Sequence, residues 1–314
     1  MAWISGRIAI AVLTLGLAVV PTLSQQSEPV RQEIAVGGAT LSVSYRGDFR
    51  LPEAALAAWI RRSAEVIAGY YGRFPVDRVQ LDVVGVGGTG VRSGKAFGDR
   101  GAYLRVMVGE ASDVADLRRD WIMVHEMVHL ALPRMRRNHD WLAEGLAVYV
   151  ESIARMQAGD LDRTQVWGEF VTRMPHGLPK AGDHGLDNTP TWGRTYWGGA
   201  IFALVADTEI RKRTNGARNL RDALRGVLVS GGDFTDFWPI ERTLAAADAA
   251  TGTGVLMTLY GDWRATPVDP DLDGLWTSLG VVQAGGGVVF DEDAPLAAMR
   301  RSIETGDSCA VMAC

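Results

Sequence analysis

The chain has 314 residues, 47% of them hydrophobic and 22% charged, with a formal net charge of −5. That is the composition of a globular protein with a substantial core, in one large or two small domains. No long basic block occurs, which argues against nucleic acid as a partner.

Arg7 is followed by the uncharged stretch Ile8 to Val20. It is shorter than the roughly 20 residues that span a bilayer. A short apolar run behind a basic residue has the layout of a secretory signal peptide, here residues 1–24, and predicts an exported protein, periplasmic, secreted or envelope-associated. The alternative is an uncleaved anchor that associates with a membrane. Residues 25–31 read as a linker. Short strands are predicted near 32–36 and 40–45, joined by Gly37 and Gly38. Pro52 opens an amphipathic helix whose stripe includes Leu56, Trp59, Ile60, Ile67 and Tyr70, and Gly72 ends it. Strands are predicted at 80–84 and 102–108, with a glycine-rich loop over 85–98 between them. A phosphate cradle in that loop is disfavoured, because Gly94 and Lys95 are followed by Ala96 rather than Ser or Thr.

From 113 onward the pattern turns helical. One helix is predicted over 113–132, stopping before Pro133, and another from Asp140, as its N-cap, to Gly159. Later helices are predicted over 197–214, 217–229 and 239–250. Residues 285–304 read as a strand, a turn and a last helix. The domain reading is a leader at 1–24, an α/β lobe at 25–110, a helical lobe at 111–264, and a C-terminal extension at 265–314. The only cysteines, Cys309 and Cys314, either pair into a terminal loop or stand as free thiols; neither sits in a CxxC pair, so a cysteine-based metal site is not expected.

Residues 125–129 read His-Glu-Met-Val-His. Positions i and i+4 share a helix face, so His125 and His129 can chelate one ion, and Zn²⁺ suits imidazole donors. At this chain's His and Glu frequencies, chance yields about 0.003 such matches. Apolar neighbours from Trp121 to Leu132 predict a buried helix, where two histidines and a glutamate demand an explanation. The bland one is a pair of core histidines bonded to carbonyls. Glu126 is placed to reach a metal-bound water and act as general base. A Gly and a His three and six residues past His129 would mark a metzincin; Leu132 and Met135 stand there, which excludes that class. A third ligand is required, and Glu144 lies just inside the next helix, at the height of His129 if the two helices form a hairpin. Spacing alone also allows Glu144 merely to favour the positive helix N-terminus. His139, in a polar loop, reads as a surface residue.

Residues 141–149, WLAEGLAVY, resemble the WLxEGxAxY segment of gluzincin metallopeptidases, the group of thermolysin's relatives and the membrane-alanyl and glycyl aminopeptidases. The resemblance is strong over about 121–151 and fair to about 211. It implies an α+β thermolysin-like catalytic domain, with a small mixed-sheet N-terminal lobe, a helical C-terminal lobe and a zinc site between them. It implies a single Zn²⁺ held by His125, His129 and Glu144. Glu151 matches an acidic position of such segments, either as a partner of a ligand imidazole or as a solvated carboxylate. Tyr196 matches the tyrosine that stabilises the oxyanion in the aminopeptidase branch, although Gly198 replaces the lysine of its Y-x-K-G context. His184 and His176 are alternative donors, as in thermolysin. No acidic residue lies between Gly85 and Gly98, where the aminopeptidases carry the glutamate that pins a free amine. The expected activity is zinc-dependent hydrolysis of a peptide or protein substrate. A catalytically silent zinc-binding envelope module and a zinc amidase acting on cell-wall material are the alternatives.

Overall fold

The computed structural model describes residues 30–307; the leader, Cys309 and Cys314 lie outside them. Alternation of apolar residues starts the fold. Strand β1 (Val30–Val36) turns at Gly37 and Gly38 into β2 (Ala39–Arg46), and both glycines have positive φ, as the tight hairpin requires. Leu41, Val43 and Tyr45 point to one buried face. Helix α1 (Glu53–Tyr71) begins after Pro52, ends on left-handed Gly72, and carries the chain to β3 (Arg78–Val86), parallel to β2.

Strand β4 (Val91–Phe97) occupies half of the segment predicted as a glycine-rich loop, a correction to the sequence reading. It pairs antiparallel with β5 (Ala102–Gly109), which itself runs parallel to β3. The sheet order is β1-β2-β3-β5-β4, so β4 is an edge. Backbone pairing sustains this strand despite its small residues, and smallness is needed at Gly94. A Cβ there would lie 2.5 Å from Glu126 Cγ and 2.7 Å from Ile122 Cγ2.

The helix predicted over 113–132 is two helices, α2 (Val114–Arg118) and α3 (Ile122–His129). The break has a local cause. The Asp120 carboxylate accepts the amides of Ile122 and Met123 and starts a new helix. After His129 the chain tightens into i→i+3 turns through Leu132 before Pro133. Helix α4 (Asp140–Gln157) then packs alongside α3, with His139 rather than Asp140 at its N-cap position.

Helix α5 (Arg163–Arg173) lies in a stretch with no predicted element, although Asp162 caps it and Val166, Trp167, Phe170 and Val171 form a buried stripe. A π-helical turn, Gly193–Gly198, leads into α6 (Gly199–Arg213). Here the sequence dictates an unusually close approach. A Cβ on Gly145 would meet the Gly199 backbone at 2.2 Å, so α4 and α6 cross backbone to backbone.

The remaining helices are α7 (Leu220–Val229), α8 (Ile240–Thr251), α9 (Val255–Trp263) and α10 (Leu272–Leu279). The hairpin β6 (Val281–Ala284) and β7 (Gly287–Phe290) and helix α11 (Ala297–Thr305) close the described chain. Like α5, helices α9 and α10 fall where no element was predicted. The buried side chains form one cluster from Ile34 to Ile303, so the C-terminal helices share the core of the HExxH helix.

Candidate metal centre and its cleft

Helix α3 sets His125 and His129 one turn apart, with ring centroids 4.9 Å from each other. Helix α4 brings in Glu144, whose Oε2 lies 3.1 Å from His125 Nε2 and 3.6 Å from His129 Nε2. Among the described residues this is the group of His, Cys, Asp and Glu donors able to hold an ion, with all three donor atoms within 4.8 Å of one another. Tetrahedral zinc with bonds of about 2.0–2.1 Å would separate its ligand atoms by about 3.3 Å. The two measured separations bracket that value. Two imidazoles and one carboxylate, open to a cleft, are also the donor chemistry of a catalytic zinc site with a free fourth position. The residues therefore fit the ion.

Charge states follow from burial and proximity. Burial pushes the Glu144 carboxyl up, but the His125 and His129 imidazoles outweigh it and hold the group well below the usual carboxylate range. His125 is lowered by burial, with Glu144 opposing. His129 is also penalised by burial, yet Glu144 turns its net shift upward. A divalent cation binds neutral imidazoles beside an ionised carboxylate, so its binding would displace the proton that Glu144 favours on His129.

Glu126 lies beneath β4. Burial raises its pKa, while the His129 and Lys95 charges and the Ala96 amide pull it down. Tyr196 comes from the π-helical turn, and its ring stacks 6.4 Å from that of His125. Burial and the nearby Glu144 and Glu126 carboxylates push its hydroxyl up to about 12. The extra residue in a π turn re-aims a side chain, and such turns recur at functional sites. Close contact of Gly177 with the Gly198 backbone holds this one in place.

His125, Glu126, His129, Glu144 and Tyr196 line a single cleft of about 710 Å³. Other expectations require correction. The Glu151 carboxylate accepts from Arg155 at 2.5 Å and from Ser152 at 3.1 Å, and is not bonded to a ligand ring. It lies seven residues past Glu144, two turns along α4, which carries it about 10 Å away along the axis. His184 is exposed and outside the cleft lining, and His176 lines a separate pocket beside Trp192. His139 is buried rather than on the surface. Its Nδ1 lies 3.1 Å from Asp187 Oδ1, and the same carboxylate accepts from Trp141 Nε1 and the Tyr260 hydroxyl. That carboxylate anchors the first turn of α4, and with it the approach of Glu144.

Trp121, grouped with the buried face of α3 in the sequence, is 50% exposed, and it lines the cleft together with Phe237, which is 58% exposed. Phe234 lines it too, delivered by a segment a hundred residues away that hydrogen-bonds to Leu130 and Arg134. No local pattern marks these phenylalanines as cleft residues.

No protein-family model matches the chain, and no curated relative matches it. Solved structures do. An aminopeptidase N family protein from Idiomarina loihiensis superposes with a TM-score of 0.57 at 12% identity, covering 82% of this chain and 50% of that one. A two-domain M1 zinc metallopeptidase variant bound to L-arginine gives 0.52 at 16% identity, covering 78% and 53%. An M1 zinc metallopeptidase variant from Deinococcus radiodurans, bound to a Tyr-Ser-Ala substrate, gives 0.50 at 15% identity over the same shares. The mixed α/β fold is thus similar to that of M1 zinc peptidases, and the chain spans about half the length of these structures.

Proposed function

We propose that this protein is a zinc-dependent peptidase of the gluzincin type, with His125, His129 and Glu144 as ligands, Glu126 as general base and Tyr196 as oxyanion donor. The observation that carries the reading is the convergence of the three donors, with both separations from the Glu144 carboxylate to the imidazoles near the tetrahedral value, in a cleft that also holds Glu126. Bound zinc would supply a water acidified to a pKa of about 7 and would polarise the scissile carbonyl.

The chain's own residues do the rest. Glu126, one position past His125, takes the proton of the attacking water and passes it to the leaving amine. Its seat under Gly94 keeps the carboxylate from swinging toward the strand. Tyr196 stays protonated through the neutral range and donates to the developing oxyanion. The apolar faces of Trp121 and Phe237 flank the substrate. In this reading residues 25–110 and 111–264 are the two lobes of the catalytic domain, 265–314 is an extension, and residues 1–24 export the protein to the periplasm or envelope.

Incubating the zinc-loaded protein with a peptide library, with and without chelator, tests the proposal. Chelator-sensitive cleavage is expected; zinc binding without cleavage of any peptide would favour the silent module, and cleavage of cell-wall amides alone would favour the amidase. Tyr196→Phe should lower kcat about 10²-fold, the order of one lost oxyanion donor, with KM little changed. The folded-state pKa is raised from 10 to about 12, so the hydroxyl keeps its proton further into alkali than a free tyrosine. The kcat/KM profile of the wild type below pH 10 should therefore have the same shape as that of the variant. An alkaline limb below pH 10 present only in the wild type would place the Tyr196 pKa lower than this, whereas an unchanged kcat in Tyr196→Phe would count against the donor role.

A further inference from the structure

The edge strand beside the metal centre carries an irregularity with no role in the chemistry above. Val91 pairs with Val108 and Ser93 with Met107, consecutive residues of β5, so Arg92 is an extra residue with no cross-strand partner. This is a β-bulge, a device that re-aims a side chain and concentrates next to active sites. Arg92 is exposed and lines the cleft, and it makes no hydrogen bond or ion pair with any described residue. Two positions on is Gly94, against Glu126. At about 3.3 Å per residue, Arg92 branches from β4 some 7 Å along the strand from that point.

The other cleft charges sharpen its meaning. Arg134 is committed to Asp99 and to the carbonyls of Phe234 and Thr235. Lys95 is exposed and rests its ammonium 5.5 Å from the centre of the Phe97 ring. The cleft carboxylates are Glu126, Glu144 and Asp140, on α3 and α4. Strand β4 itself therefore offers the cations Arg92 and Lys95 and no carboxylate, and of the two only Arg92 stands without a described partner. A positively charged group there would be repelled, and a carboxylate would find an unoccupied guanidinium with a fork suited to it.

We propose that Arg92 is a specificity-determining residue that binds a carboxylate of the substrate peptide, within about two residues of the scissile bond. The assignment rests on the peptidase reading for its substrate class. The carboxylate belongs either to an acidic side chain or to the peptide's own C-terminus. Lys95 adds long-range attraction, which salt weakens.

The test separates binding from turnover. Zinc-loaded protein carrying Glu126→Gln is titrated against fluorescent peptides that differ only in Glu, Gln or Lys at each central position, each with a free or amidated C-terminus. By fluorescence anisotropy at low salt, a Glu peptide should bind about tenfold tighter than its Gln twin at one position, the strength of a hydrogen bond to a charged group. If the terminal carboxylate is the ligand, the free peptide should instead beat the amidated one by that factor. Adding Arg92→Gln should erase the preference, and Arg92→Glu should turn it toward the Lys peptide, with melting curves and zinc content unchanged. Equal binding of all peptides, no binding, or a preference that survives Arg92→Gln overturns the proposal. Cleavage by protein with Glu126 intact is scored separately: charge-selective binding with no cleavage of any peptide would overturn the peptidase reading and leave Arg92 its role.

Discussion

Glu126→Gln should retain zinc and lose about three orders of magnitude in kcat, the middle of the range for a lost general acid–base group. The change is nearly isosteric, so the side chain keeps its seat beneath Gly94 and the Ala96 amide. What it loses is basicity. An amide oxygen cannot hold the proton between attack of the water and departure of the amine. Stability gives an independent readout. Burial raises the Glu126 pKa in the metal-free fold, so folding favours the protonated carboxyl. Its contribution is present below the unfolded value near 4.5 and is lost as pH rises through the folded pKa. Metal-free Glu126→Gln should thus be as stable as the wild type in acid and more stable at neutral pH. Melting curves across pH, zinc content by elemental analysis and turnover of a cleaved peptide would check all three. Substantial turnover by this variant would remove Glu126 from the mechanism.

Glu144→Ala should abolish zinc binding at concentrations that saturate the wild type, and activity with it. Changing a residue that only orients a ligand typically costs 10–100-fold in metal affinity, so loss of a ligand itself should exceed about 100-fold. The thermal readout follows from linkage. Zinc at a thousand times its Kd adds about 4 kcal/mol to wild-type stability, and this increment should be absent from the variant. Without metal, the pairing with two buried imidazoles is also lost. The folded pKa of Glu144 lies well below its ordinary value, so this pairing stabilises the wild type above about pH 4.5 and fades as pH falls. In the variant that acid dependence should be weaker. Calorimetric zinc titration and melts with and without zinc would decide; unchanged affinity would mean that Glu144 is not a ligand.

The portion of this site legible from the residues alone is the portion governed by local geometry. His125 and His129 share a face because four residues nearly complete a turn, and Glu126 follows from its place between them. Glu144 was marked by a short helix–helix link and by the WLAEG segment. Gly145, next to it, permits the contact with Gly199 that brings α4 against α6. Glu151 shows the limit of the pattern. It matched an acidic position, but on this helix Arg155 stands four residues away and takes the carboxylate.

Other features depend on pairing and packing partners outside their own segment, and periodicity carries no record of them. The 85–98 segment is rich in glycine and was read as a loop, yet pairing with β5 makes a strand of it, and register alone leaves Arg92 unmatched. His139 sits in a run of polar residues, but Asp187 and Tyr260 bury it. Phe234 and Phe237 reach the cleft only because their segment bonds back to Leu130 and Arg134. Thus the amino-acid order determined the donor set and the helix that presents two of its members, since neighbours three and four residues apart decide those. Which strand edges the cleft, which aromatics line it and which cation is left uncommitted were decided by tertiary structure. Those outcomes depend on strand register and on backbone contacts between segments up to a hundred residues apart, where the free energy of packing rather than local conformational preference selects the neighbour.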